Sequence, residues 1–227
     1  MRVLDLFSGI GGFSLGLERA GFETIAFVEH NKSCQMVLRK HWEDAPIFSD
    51  IKLFDAESVG KPDLICGGFP CQPFSSASHG VKVAEDLWPE MARVIWQFMP
   101  KYVIAENVSE KAINKSKSDL ELLGYYCEVR NITAAQCGAD HKRSRWWLVA
   151  HTDNQSELHS TINAEVAKLP ELCKGIWDGK NYAGAIRVSD GVSNRMDRLK
   201  QLGNAVIPQI PEALGKAIMN YKKKQEI

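Results

Sequence analysis

The sequence predicts an α/β protein built on a doubly wound, mostly parallel sheet. Two observations carry this. Short apolar runs of strand length alternate with longer amphipathic stretches from residue 2 to residue 108, a βαβα rhythm that makes parallel strands with crossover helices. The apolar runs are also nearly unbroken, which suits strands buried on both faces.

Residues 2–7 (RVLDLF) form the first expected strand. Residues 9–21 follow as a helix, with Phe13, Leu17 and Ala20 at helical spacing and Gly21 closing it. Residues 22–29 are the second strand, and 31–42 the second helix, with Asn31 as its N-cap. PIFSD brings a third strand to its end near Asp50. Residues 62–67 are the fourth strand, 86–99 a helix and 101–108 the fifth strand. Residues 124–132 and 144–152 read as a pair of further strands. After His151 the pattern degrades, with scattered apolar residues such as Leu169, Leu172, Ile176 and Trp177. Helical spacing returns from Arg195, and 211–221 reads as a terminal helix. The chain therefore divides into a main unit (1–152), a short variable region (153–194) and a helical segment returning to the main unit (195–227).

Composition narrows the function. The 227 residues are 44% hydrophobic and 25% charged, with zero formal net charge. No global field attracts nucleic acid, so such binding needs local patches, of which HKRSR (141–145) and NRMDRLK (194–200) are candidates. The six cysteines contain no CxxC and no disulfide-like framework, and no His/Cys cluster has zinc spacing. With no signal-like or membrane-length apolar segment, the expectation is a cytoplasmic protein with free thiols, no membrane and no metal.

The candidate site residues cluster at strand ends, where an open α/β sheet binds its ligand. Gly9, Gly11 and Gly12 form a turn into a helix N-terminus, able to meet an anionic group or simply to make a tight turn. Glu29 at the second strand end suits a ribose hydroxyl pair, and Asp50 at the third suits an adenine amino group. Cys71 sits in GGFPCQPFS, held between Pro70 and Pro73 after two glycines. Proline locks φ, so this reads as a stiff turn presenting one thiol. Glu106 ends the fifth strand, where burial is costly unless the acid is paired or protonated. If the fourth and fifth strands are neighbours, Glu106 and Cys71 open into one crevice. Arg143 and Arg145 alternate with Ser144, so period two puts both on one face, as a paired anion site.

In this combination the sequence resembles the DNA cytosine-5 methyltransferases. DLFSGIGGF resembles their first motif, GGFPCQPFS their catalytic motif, AENV their glutamate motif, HKRSR their arginine motif and QLGNAVIP their last. The likeness runs over about residues 2–150 and 195–220. It implies a Rossmann-like S-adenosylmethionine-dependent fold, with 1–152 as catalytic and cofactor domain and 153–194 as a very small target-recognition region. It implies Cys71 as nucleophile on carbon-6 of a flipped cytosine in double-stranded DNA, with Glu106 on ring nitrogen 3 and the amino group. Arg143 and Arg145 would sit by the base. Phe7, Gly9, Gly11, Glu29, Asp50 and Ile51 would line the cofactor site, joined by Leu87, Asn204 and Val206. Gln72 and Ser75 would contact DNA, and residues 76–86 would form a catalytic loop. His141 stands where the family has glutamine, Ala205 where serine is common, and DGVSNRMDRLKQ where the penultimate motif belongs. The recognition region is only about forty residues, short beside a usual domain. The compact form is similar to enzymes carried by phages and prophages, and a monomer is the expectation. Two other readings stay open: methylation of RNA cytosine, and a non-catalytic module that binds cofactor or DNA.

Overall fold

Along each inner strand, successive apolar side chains enter opposite layers, as a pleated strand covered on both faces requires. The computed structural model describes residues 1–71, 85–139, 143–153, 157–174 and 205–225. The strands are β1 (Arg2–Leu6), β2 (Glu23–Val28), β3 (Ile47–Phe48), β4 (Leu64–Gly68), β5 (Tyr102–Asn107), β6 (Tyr126–Thr133) and β7 (Ser144–His151). They form one sheet in the order β3-β2-β1-β4-β5-β7-β6. β1 to β5 are parallel, whereas β7 runs antiparallel to both β5 and β6. The strand order reverses between β1 and β4, which opens a crevice at their carboxyl ends.

The helices are α1 (Gly12–Arg19), α2 (Lys32–His41), α3 (Trp88–Phe98), α4 (Glu110–Leu122), α5 (Glu157–Val166), α6 (Leu169–Leu172) and α7 (Gln209–Gln225). Val3, Cys66, Tyr102 and Ile104 pack on one face with Phe13 and Leu17 of α1 and Leu214 and Ile218 of α7. Leu4, Ile65, Val103 and Ala105 pack on the other with Met91 and Val94 of α3 and Ile113 and Leu120 of α4. Asn31 caps α2 as its residue type predicts, its Oδ1 accepting from Ser33 N at 2.9 Å and Cys34 N at 3.2 Å.

α1 and α7 meet with almost no gap at Gly16. A Cβ there would overlap the Pro208 carbonyl oxygen and lie 2.8 Å from Pro211 Cγ and 2.9 Å from Glu212 N. Alanine would gain about 1 kcal/mol of helix propensity, but the neighbouring backbone cannot rotate away, and overpacking costs about 1–3 kcal/mol. Gly16→Ala is therefore expected to lose about 1 kcal/mol of net stability, read as a lower urea midpoint. A higher midpoint would contradict this close packing.

The strand reading holds throughout, including the β6–β7 pair. The helix α4 was not foreseen, because of its thirteen residues only Ile113, Ser116 and Leu120 are buried, too sparse an apolar stripe to stand out. α5 and α6 arise where the pattern degrades: short polar insertions dilute the period, yet Leu158, Ile162, Leu169 and Cys173 join the core layer that holds α7. Residues 175–194, and the helical spacing expected from Arg195, lie outside the described residues. Among the described residues no helix is long and apolar enough to cross a membrane.

Candidate active site

The turn from β1 to α1 is clamped at both ends by one residue. Ser8 Oγ donates to the Asp5 carbonyl at 2.7 Å, and Ser14 donates to Asp5 Oδ2 through Oγ at 2.7 Å and through its N–H at 3.3 Å. Burial pushes the Asp5 carboxyl up to about 7, with the Ser14 hydrogen bonds pulling the other way. Within this clamp Phe7 takes a left-handed φ of 54°, a conformation costing roughly 1–3 kcal/mol that persists only where the surroundings enforce it.

The turn forms one wall of a cavity of about 580 Å³, the size of a small-molecule site. Phe7, Gly9, Glu29, Asp50, Ile51 and Leu87 line it, and Val206 and Glu106 reach it from later in the chain. Gly11 does not line it and lies behind the turn against Trp42 and Leu38. Glu29 holds its place by two backbone donors, Gly9 N at 2.7 Å and Asn31 N at 2.6 Å. Asp50 Oδ1 accepts from Lys52 N at 2.9 Å. Lys52 Nζ in turn pairs with Glu85 at 2.8 Å, and both residues line the cavity. Both are exposed, so this pair contributes little to stability.

β4 and β5 are neighbours, with Gly68 opposite Glu106. A Cβ on Gly68 would stand 3.0 Å from Glu106 Oε2, so glycine lets the acid fold against β4. The chain then runs to Cys71, half-buried, whose Sγ donates to Asn107 Oδ1 at 2.9 Å. The other end of the same amide donates to the Phe69 carbonyl at 2.8 Å. Asn107, buried and next to Glu106 in the chain, thus ties the thiol and the Phe69–Cys71 segment to the end of β5. Burial raises the Cys71 thiol above its ordinary value, Asn107 opposes this, and the charges of Asp86 and Glu106 add to the rise.

Glu106 is pushed up to about 7 by burial, against the pull of Arg145 and Arg143. The Arg145 Nε lies 3.0 Å from Glu106 Oε1, so desolvation outweighs a close ion pair. Below about pH 7 such an acid offers one O–H donor and one carbonyl acceptor, and above it a carboxylate. β7 delivers Arg145 to it directly, and Arg143, just before the strand, faces the same acid.

The structure thus brings together Cys71, Glu106, Arg143 and Arg145, and sets most of the expected cofactor residues around one cavity. Gln72, Ser75 and Asn204 lie outside the described residues, as does the loop 76–86 up to residue 84. Sequence reasoning missed Asp5 and Asn107. Each sits inside a motif dominated by its neighbours, Asp5 in DLFSGIGGF and Asn107 in AENV, and its signal is a polar residue in a mostly apolar strand. Among the described residues no group of three His, Cys, Asp or Glu is placed to hold a metal ion.

Comparison with known proteins agrees with this arrangement. The family profile described as C-5 cytosine-specific DNA methylase matches residues 1–190. The Type II methyltransferase M.NgoMIV of Neisseria gonorrhoeae is 35% identical over 195 residues, covering 80% of this chain and 62% of that protein. M.CviJI of Paramecium bursaria Chlorella virus IL3A is 34% identical over 216 residues, covering 91% of this chain and 56% of that protein. The chain therefore spans only about three-fifths of these relatives' own length. A solved structure described as a DNA modification methyltransferase encoded within a prophage (E. coli) shares the fold, with TM-score 0.66 at 18% identity and 98% and 99% of the two chains covered. The S. pombe Dnmt2 methyltransferase does so with TM-score 0.62 at 19% identity, covering 89% of this chain and 66% of that one.

Proposed function

Because the chain belongs to the family of C-5 cytosine-specific DNA methylases, we propose that it moves a methyl group from S-adenosylmethionine to carbon-5 of a cytosine in DNA, through a covalent Cys71 adduct on a flipped base. One observation carries the reading: the thiol of Cys71 is fixed by Asn107 beside a largely buried acid, Glu106, that burial raises to about 7.

The large cavity fits S-adenosylmethionine. Its volume is in range, Glu29 and Asp50 offer carboxylates to ribose hydroxyls and an adenine amino group, and Phe7 and Ile51 offer apolar walls. The space where a Gly9 side chain would point is open for at least 4 Å, so backbone can meet the ligand there. Bound in that cavity, the cofactor supplies an electrophilic methyl group for carbon-5.

The chain's own residues do the rest. A target base leaves the duplex to reach them. The Cys71 thiol gives its proton to solvent, and a sulfur lone pair forms a bond to carbon-6. The electrons of the 5,6 double bond are then available at carbon-5, while Glu106 places its proton on ring nitrogen 3 and accepts from the exocyclic amine. Cytosine presents one acceptor and one donor at that edge, matching a protonated carboxyl. Arg145 holds the resulting carboxylate. After methylation, carbon-5 loses its proton to a solvent base, the 5,6 double bond re-forms as the Cys71 thiolate leaves, and ring nitrogen 3 returns its proton to Glu106. Fixing the thiol in place supplies part of the barrier reduction, since positioning can be worth several kcal/mol (about 7 or more in well-oriented cases).

The pH dependence follows with a definite sign. The active pair is a protonated Glu106 and a Cys71 thiolate, although the thiol is the weaker acid. Below about 7, Glu106 is protonated and kcat/KM climbs with pH as the thiolate fraction grows. Above 7, Glu106 loses its proton as fast as Cys71 gains thiolate, so the profile levels. A measured kcat/KM for DNA should show this break near neutrality.

Base-edge recognition would fall largely to residues 175–194, with α5 and α6 serving the core. A bacterial or phage-encoded enzyme working as a monomer in the cytoplasm suits the likeness to prophage and restriction-modification proteins. Trapping tests the whole reading: duplex DNA containing 5-fluorocytosine, with S-adenosylmethionine, should yield an adduct that survives denaturation. RNA of the same sequence is the parallel arm. An adduct with RNA alone would change the substrate, and none with either would overturn the reading.

A further inference from the structure

A second, much smaller cavity lies between Glu106 and Trp147. Its volume is about 10 Å³, the room of about one water molecule. Glu106 and Trp147 are register partners across β5 and β7, and Arg145 shares the Trp147 face by period two. Arg143 and Arg145 also line the cavity. The other walls, from β6, the 205–207 segment and α7, are Ile132, Val206, Ile207 and Ile210, none of which titrates.

Trp147 is 1% exposed, and its indole N–H is buried with no hydrogen-bond partner among the described residues. A buried donor left unpaired costs about 1–3 kcal/mol. The ring is held against Phe13, with centroids 5.5 Å apart. The walls are mostly apolar, yet a carboxylate, two guanidinium groups and an unpaired buried indole N–H meet at this one-water space, which gives a buried water the two to four polar partners it needs.

We propose that this cavity is a one-water site, and that Trp147 acts through that water as a positioning residue for the Glu106 carboxyl. This rests on the role given to Glu106 above. Donor counting fixes the direction of the effect. Indole and guanidinium groups only donate. A water accepting from Trp147 and from an arginine has used both lone pairs. Its own hydrogens then need acceptors, and Glu106 is the carboxylate that lines the cavity. The water donates to Glu106 and favours its charged form. It therefore works with Arg145 and Arg143 against burial, while ionisation of the nearby Cys71 would work with burial. The device keeps Glu106 near neutrality, able to give its proton and take it back, rather than permanently protonated.

The test compares kcat/KM for DNA from about pH 5.5 to about 9 in wild type and Trp147→Phe, with S-adenosylmethionine affinity measured by calorimetry. Phenylalanine keeps a ring and removes the N–H. The break near neutrality should move upward by about half to one pH unit, with cofactor affinity unchanged. A break at the wild-type position in a folded Trp147→Phe protein overturns the proposal. If that variant does not fold, a wild-type crystal structure that resolves waters decides: an ordered water within hydrogen-bond distance of Trp147 Nε1 supports it, and a dry cavity overturns it. Failure of the catalytic reading itself is seen separately, as loss of the 5-fluorocytosine adduct.

Discussion

Cys71→Ala is expected to abolish methyl transfer, by about 10⁴-fold or more, while leaving S-adenosylmethionine affinity within about twofold. The thiol does not line the large cavity, so its loss removes the bond to carbon-6 and little else. Only sulfur addition makes carbon-5 nucleophilic, and nothing in the described site replaces it. Transfer of a labelled methyl group to DNA, measured alongside cofactor binding, checks both halves. Residual turnover within tenfold of wild type would mean that the adduct is not on the reaction path.

Glu106→Gln is the second large effect, expected to lower turnover about 100- to 1,000-fold. The substitution separates geometry from proton chemistry. A glutamine amide still offers one donor and one acceptor to the cytosine edge, so base binding should survive. It cannot pass a proton to ring nitrogen 3, so the charge that builds on the ring is left uncompensated. The pH profile supplies a second signature: the break near neutrality should vanish, because the group raised to about 7 is gone. A variant that kept the break would assign it to another residue. Asp5, also raised to about 7 by burial, would be the first to examine.

The sheet was legible in the sequence because its strands are buried on both faces and so stand out as apolar runs. Cys71 and Glu106 were legible as residues whose types conflict with their surroundings, a thiol in a proline turn and an acid at the end of an apolar strand. Their proximity was conditional, since sequence order does not say that β4 and β5 are adjacent. What could not be read were contacts that depend on partners far along the chain. Asn107 holds the Phe69 carbonyl, 38 residues away, and Trp147 meets Glu106 only because β7 returns antiparallel. α4 was hidden for a different reason, since a helix that buries three residues hardly disturbs the hydropathy of its segment.

The two ends that flank residues 175–204 are both anchored in the same apolar layer: Cys173 is part of it, and Val206 packs against it. For evolution this makes the intervening stretch a cassette. Lengthening such a connection costs only about 0.6 kcal/mol for each doubling of its length, far less than the layer that holds its ends gains from burial. A lineage could therefore exchange a short connection for a long one, or the reverse, without disturbing the sheet and the layer that anchors its two ends.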